Sequence, residues 1–239
     1  MNTTLSLALD TVKLPRHSQW AVSTLGHRIE LFFSPNFQWR ENAKPLLFIG
    51  GVHGDEYEGV ELAAQTLLWL DSIYQSDSTT EISPWVLIPC INPDGYKSNQ
   101  RTNGRGVDLN RNFPARDWSP RIKSSRYNPG TFPASEPEVR ALANFIVRYS
   151  PRLVIHCHSW HPSITFTGNE APVEAKILGE TTGYSVQPDI GYPTPGSLGQ
   201  FAWLEQQIPV ICIEEQEGTA VESVWPHFES GIKKIFGKI

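Results

Sequence analysis

A chain of 239 residues, 39% hydrophobic and 19% charged, carries enough apolar material for one sizeable core and reads as a single domain over 1–239. A formal net charge of -5 gives nucleic acid and anionic membranes no electrostatic hold, so neither is expected as a partner. Cys90, Cys157 and Cys212 lie in or beside apolar runs without paired spacing, which points to reduced, buried thiols in a reducing compartment.

Residues 1–16 lack a basic leader region and a small-residue cleavage site, so no signal peptide is expected. No window approaches the roughly 18 apolar residues of a membrane helix. A cytoplasmic protein is the expectation. Residues 20–34 read as a hairpin turning at Leu25 and Gly26. The apolar run at 44–51 fits a strand covered on both faces, and Val60, Ala63, Ala64, Leu67 and Leu68 give 56–70 a helical period. A second buried strand follows at 84–90. Residues 92–133, rich in Asn, Arg, Gly and Pro, form a segment too long to be a passive connection. At 135–150 a helix is predicted, with Ser135 as N-cap and Glu138 closing a capping box. Strands at 151–157 and 208–214 alternate with helices at 172–183 and 221–235. This alternation predicts an α/β fold: a doubly wound, mixed but mostly parallel sheet with helices on both faces.

In such sheets ligands bind outside the carboxyl ends of the strands. The reactive residues of this chain fall there: His53 after one run, Asn92 to Gly95 after another, then His158 and Glu214. If Glu56 opens the first long helix, it and His53 can reach one point, with Gly50, Gly51 and Gly54 easing the turn. A third ligand must come from another strand. His156 and His158 face the same way, and the position nearer the carboxyl end favours His158, leaving His156 packed or in support. Two histidines and a glutamate with one open position make a catalytic zinc site. By itself the His53–Glu56 spacing is also that of an ordinary helix start, where Glu56 would complement the dipole.

Glu214 emerges at the same edge and suits a general base, yet Glu215 and Glu217 beside it equally fit a solvated acidic cluster. Spacing alone does not separate the two. Arg101, Arg105 and Arg111 lie near Asn110 in the long segment, where a guanidinium could grip a carboxylate or an oxyanion. Loop arginines are ordinarily solvated, but "DLNRNFP" alternates polar with apolar residues as a partly buried stretch does. Tyr192, among prolines and glycines, suits a lid or pocket wall, or simple packing. His17, His27, His161 and His227 read as surface or packing residues.

Taken in order, "GVHGDEYEG", "NPDGY…NQRTNGRGVDLNRNFP", "SEPEV", "VIHCHSW", "YPTPGSLG" and "VICIEE" resemble the zinc carboxypeptidases of the carboxypeptidase A superfamily, over residues 50–215. The resemblance implies that family's α/β fold and one zinc ion per chain, held by His53, Glu56 and His158. It implies that Arg101 polarises the scissile carbonyl, Asn110 and Arg111 bind the terminal carboxylate, and Glu214 is the base. Tyr192 matches the family's substrate-contacting tyrosine with one residue of slippage. The short chain, "YPTPGS" and the "EQEG" after the base are similar to the murein peptide amidases, a small bacterial cytoplasmic branch. That similarity implies hydrolysis of the γ-D-glutamyl–meso-diaminopimelate bond of a murein tripeptide in cell-wall recycling. Glu215 or Glu217 would then meet the diaminopimelate ammonium. A carboxypeptidase for ordinary α-linked peptides is one alternative. An N-acyl amino acid deacylase of the aspartoacylase or succinylglutamate desuccinylase type is another; "NPDG", "SEPE" and the tyrosine loop argue against it. A metal-free binding protein on the same fold is a third.

Overall fold

A computed structural model describes residues 3–76, 81–121 and 124–237; Met1 and Asn2 of the N-terminal stretch lie outside it. Helix α1 (Thr3–Thr11) leads into the hairpin β1 (Arg16–Val22) and β2 (Arg28–Phe33). Then come β3 (Leu46–Ile49), α2 (Tyr57–Gln75), β4 (Trp85–Ile88) and the short α3 (Pro93–Ser98). After the long segment follow α4 (Pro137–Tyr149), β5 (Leu153–Trp160), β6 (Ser163–Thr167), α5 (Val173–Thr182) and β7 (Val186–Gln187). The chain closes with α6 (Leu198–Gln200), β8 (Val210–Gln216) and α7 (Val221–Phe236). Between α6 and β8 the helix widens into a π-wound stretch, Phe201–Glu205.

The strands form one mixed sheet in the order β1-β2-β4-β3-β5-β8-β6-β7. The four central strands are parallel, and β2 and β6 flank them antiparallel. Every residue of β3 and β4 is buried, as continuous apolar runs covered on both faces require. Side chains alternate between two cores. Phe48, Leu87, Ile155 and Ile211 pack beneath α2, α5 and α7. Leu47, Val86, Val154 and Val210 pack on the other face, against Leu142 and Ile146 of α4 and Phe201.

On that second face the alternation runs on from apolar into polar residues. Along β5, Val154 gives way to His156 and His158; along β8, Val210 gives way to Cys212 and Glu214. The register pairs His156 with Cys212 and His158 with Glu214, and β6 adds Thr165 opposite Cys212 and Ser163 opposite Glu214. Core therefore becomes site along a single face of the same strands.

Several expectations needed correction. Helix α2 begins at Tyr57, so Glu56 precedes it, and its carboxylate makes no capping bond. The capping box on α4 does not form. The helix starts one residue later than expected, with Glu136 as N-cap and Pro137 next, so Ser135 stands outside it. Ser135 Oγ instead donates to Glu136 (2.8 Å), and the Glu138 carboxylate accepts from Thr24 N (2.8 Å). The long segment is not all loop: α3 is capped by Asn92, whose Oδ1 accepts from Gly95 N at 3.0 Å. Its six residues are too few to show a periodic face. Helix α1 and strands β6 and β7 had no clear sequence signal. All three cysteines are free. Among the described residues no helix is long and apolar enough to cross a membrane.

The turn after β3 uses its glycines in two ways. Gly51 takes φ 64°, a left-handed conformation. Gly54 is there for closeness, since a Cβ on it would lie 1.9 Å from the Gly95 carbonyl carbon. Gly54→Ala should therefore destabilise the protein by about 3 kcal/mol or more through overpacking against backbone. Gly106→Ala, at φ 73° with nothing within 4 Å, should cost only the conformational penalty of about 1–2 kcal/mol. Denaturant midpoints of the two variants give the comparison; equal losses would contradict it.

Candidate active site

At the carboxyl ends of β3, β5 and β8 three buried side chains converge. Glu56 Oε1 lies 2.7 Å from His53 Nδ1, and its Oε2 lies 2.7 Å from His158 Nδ1. The two Nδ1 atoms are 2.9 Å apart. One ligand atom from each residue falls within 4.8 Å of the others. The far nitrogens of both rings are also engaged: His53 Nε2 meets Asp108 Oδ1 at 3.2 Å, and His158 Nε2 meets His156 Nδ1 at 2.8 Å. Once their Nδ1 atoms are unprotonated, two imidazoles and a carboxylate, each ring steered by a partner, form a donor set that suits zinc. His156, His158 and Cys212 are also close enough for a metal. Burial pushes the Cys212 thiol well above its ordinary range, and its Sγ donates to Glu214 at 3.2 Å.

The charges are balanced locally. Burial would raise Glu56, but His53 and His158 hold it well below the usual carboxylate range. Burial would likewise raise Asp108, yet His53 and then Arg101 depress it strongly. Arg101 Nε donates to Asp108 Oδ2 at 2.9 Å and its NH1 to Glu56 at 3.2 Å, so the guanidinium stays charged against its burial. Glu214 is the exception. It is 3% exposed, and burial, then the Glu56 charge, lift it to about 7. A carboxylate poised there can take and return a proton near neutral pH.

These groups line a cavity of about 700 Å³. Asn110 and Arg111 lie on its wall, on a 3-10 turn fixed by Asp108, whose Oδ1 accepts from Asn110 N at 2.9 Å. Asn110 Oδ1 accepts from Leu198 N (2.9 Å), which leaves the NH₂ of Asn110 to meet a ligand. Tyr192 sits half-exposed at the rim, edge to face with Trp160 at 5.7 Å. Thus His53, Glu56, Arg101, Asn110, Arg111, His158, Tyr192 and Glu214 all come together. Arg105 does not line the cavity and faces Glu136 at 3.7 Å. Glu215 turns to the other face of β8, where Tyr184 and Thr219 donate to it. The alternation along a strand rules out Glu214 and Glu215 pointing the same way. Glu217 does line the cavity.

Other lining residues had weaker signals or none. Alternation on β5 and β8 could have placed His156 and Cys212 in the wall. Tyr127, whose ring lies under both Arg101 (5.3 Å) and Arg111 (5.5 Å), and Thr165 and Gln200 arrive from elements the sequence did not reveal. Glu58 ties the strand ends to α2, accepting from Ser159 Oγ and Gly218 N at 2.7 Å each.

The family model described as "Zinc carboxypeptidase" matches residues 8–210. The chain belongs to the zinc carboxypeptidase family. Among curated relatives, murein peptide amidase A of Escherichia coli K12 is 32% identical over 169 residues, 65% of this chain and 64% of that protein. The matched region thus spans just under two thirds of that relative. Murein peptide amidase A of Vibrio campbellii is 29% identical over 199 residues, covering 78% of this chain and 75% of its own. The crystal structure of murein-tripeptide amidase MpaA from Escherichia coli O157 superposes with a TM-score of 0.75 at 25% identity, covering 93% and 92% of the two chains. Bovine thrombin-activatable fibrinolysis inhibitor shares the fold, with a TM-score of 0.73 at 18% identity over 97% of this chain and 90% of its own.

The buried Glu214 has a consequence for stability. Its folded value of about 7 lies above the ordinary 4.5, so between those values this carboxyl is more protonated in the folded metal-free protein than in the unfolded chain. The contribution of Glu214 to stability therefore falls as pH rises through that window. Glu214→Gln should raise the stability of the metal-free protein by roughly 1–3 kcal/mol at about pH 8 and leave it nearly unchanged at about pH 4. Thermal or denaturant melts at both pH values check this; no gain at the higher pH would contradict it.

Proposed function

We propose that this chain is a zinc-dependent peptide-bond hydrolase that removes the C-terminal residue of a small murein peptide. The observation that carries the proposal is a buried carboxylate, Glu214, paired in register with His158 beside the His53–Glu56–His158 ligand set. Zinc held by those three residues would supply Lewis-acid polarisation of the scissile carbonyl and of the attacking water. Glu214 takes the proton of that water and returns it to the departing amine. Arg101 offers its remaining N–H groups to the developing oxyanion, while Asp108 keeps the guanidinium in place. Arg111 and the free NH₂ of Asn110 grip the terminal carboxylate of the substrate. Tyr192 stands at the rim, where a bound peptide must pass.

The finer reading is that the bond cut joins γ-D-glutamate to meso-diaminopimelate in L-Ala-γ-D-Glu-meso-diaminopimelate. The names of the matched relatives support it, and so does the cavity wall. There His156, Cys212 and Thr165 stand in one cross-strand row, with Thr167 and Gln200 nearby. A wall rich in neutral hydrogen-bonding groups suits a side chain bearing both an ammonium and a carboxylate. An aliphatic or aromatic side chain would leave those groups unpaired.

Release of diaminopimelate from the tripeptide, run beside an α-linked C-terminal peptide with zinc and after chelation, tests the proposal. The expected outcome is chelator-sensitive release from the tripeptide alone. Cleavage of the α-linked peptide instead would discard the substrate, and cleavage of neither would discard the function. Glu214→Gln should keep its zinc and lose roughly 10²–10⁴-fold in turnover. Turnover near that of the native enzyme would remove Glu214 from the mechanism.

A further inference from the structure

We infer that His156 links the zinc site to substrate selection, presenting a hydrogen-bond donor to an acceptor on the departing residue's side chain. The inference rests on the zinc site and substrate proposed above, and follows from proton bookkeeping along two rings. His158 turns Nδ1 toward Glu56 and His53, so as a ligand it must leave that nitrogen unprotonated. The neutral ring then carries its proton on Nε2, 2.8 Å from His156 Nδ1. His156 Nδ1 must accept a hydrogen bond from that N–H, which places the hydrogen of a neutral His156 on its own Nε2.

His156 is 4% exposed and lines the cavity. Among the described residues its Nε2 has no protein partner, and it is not sealed from the cavity. Among the described residues no acceptor is bonded to this donor, and the Cys212 thiol, directly across the register, gives its own hydrogen to Glu214. The wall therefore offers a fixed N–H, and its polarity is dictated by metal ligation two residues along the strand. An ammonium there would meet a donor; a carboxylate would be held. On meso-diaminopimelate the matching group is the side-chain carboxylate. Lysine is the same residue without that carboxylate, and 2-aminopimelate the same residue without the side-chain ammonium.

The test uses the full-length protein and His156→Ala and His156→Asn, with zinc affinity measured by chelator competition. Activity is measured on three γ-D-glutamyl peptides ending in meso-diaminopimelate, L-lysine or L-2-aminopimelate. Native enzyme should favour the two carboxylate-bearing residues over lysine by roughly 10–100-fold in kcat/KM. His156→Ala should bind zinc roughly 10–100-fold more weakly, having lost the partner of His158. His156→Asn retains an acceptor near the Nδ1 position but no donor at Nε2. It should hold zinc like the native protein yet lose the discrimination against lysine. Native zinc affinity in His156→Ala would overturn the support of His158. Discrimination that survives in both variants, or a native preference for lysine, would overturn the donor role. Native protein that binds zinc and cleaves none of the peptides would overturn the substrate reading, and the zinc affinities would still decide the link between the two rings.

Discussion

The site depends on the register of β5 against β8. Parallel pairing sets His158 opposite Glu214 and His156 opposite Cys212, with Val154 and Val210 behind them on the same face. A slip of one residue would carry Glu214 to the opposite face and bring Glu215 into its place. That slip is resisted by the core. Ile211 and Ile213 would have to leave the layer beneath α2, α5 and α7. Apolar burial on one side of the sheet thus fixes where the ionisable groups stand on the other.

Around this register the charges are arranged so that few stand alone. Asp108 is fully buried and serves as the hub: it steers the His53 ring, holds Arg101, and accepts from Asn110 N. Removing one member of such a network leaves a buried group unpaired, which costs more than the pair contributes when intact. Glu214 is compensated in part by the charges of His53 and Arg101, and among the described residues its hydrogen-bond donor is a thiol. Its raised protonation range is a standing destabilisation of the metal-free fold. It is also what lets a carboxylate exchange protons near neutrality, a trade of stability for reactivity.

The long segment between β4 and α4 supplies Arg101 and Arg111 to the cavity wall, with Asn110 beside them and the buried Asp108 behind. It is held by side chains. Asn103 Oδ1 accepts from Arg105 N and Val107 N, and Asn112 Nδ2 donates to the Pro129 and Phe132 carbonyls. Phe113 N donates to Gly196 O, so the loop bearing Tyr192 is docked on the same framework. Backbone amides that would need a ladder in a strand find amide side chains here, which explains the wealth of asparagine.

The sequence alone determined the α/β alternation, the central strands and the convergence of His53, Glu56, His158 and Glu214 at strand ends. Each of these follows from local rules: continuous apolar runs, a helical period, and polar residues placed where a run stops. The same rules misjudged Ser135 and Glu138, whose side chains were drawn to Glu136 and Thr24, one of them remote in the chain. They could not separate Glu214 as a general base from Glu214 as one member of a solvated acidic cluster. Only the pairing of β5, β8 and β6 decided that, because which face a strand residue presents is set by its neighbours across the sheet. Tertiary structure likewise brought Tyr127, Thr165 and Gln200 to the cavity, and gave His156 its partner. Those contacts join residues far apart along the chain or on adjacent strands, and no local pattern encodes the distance between them.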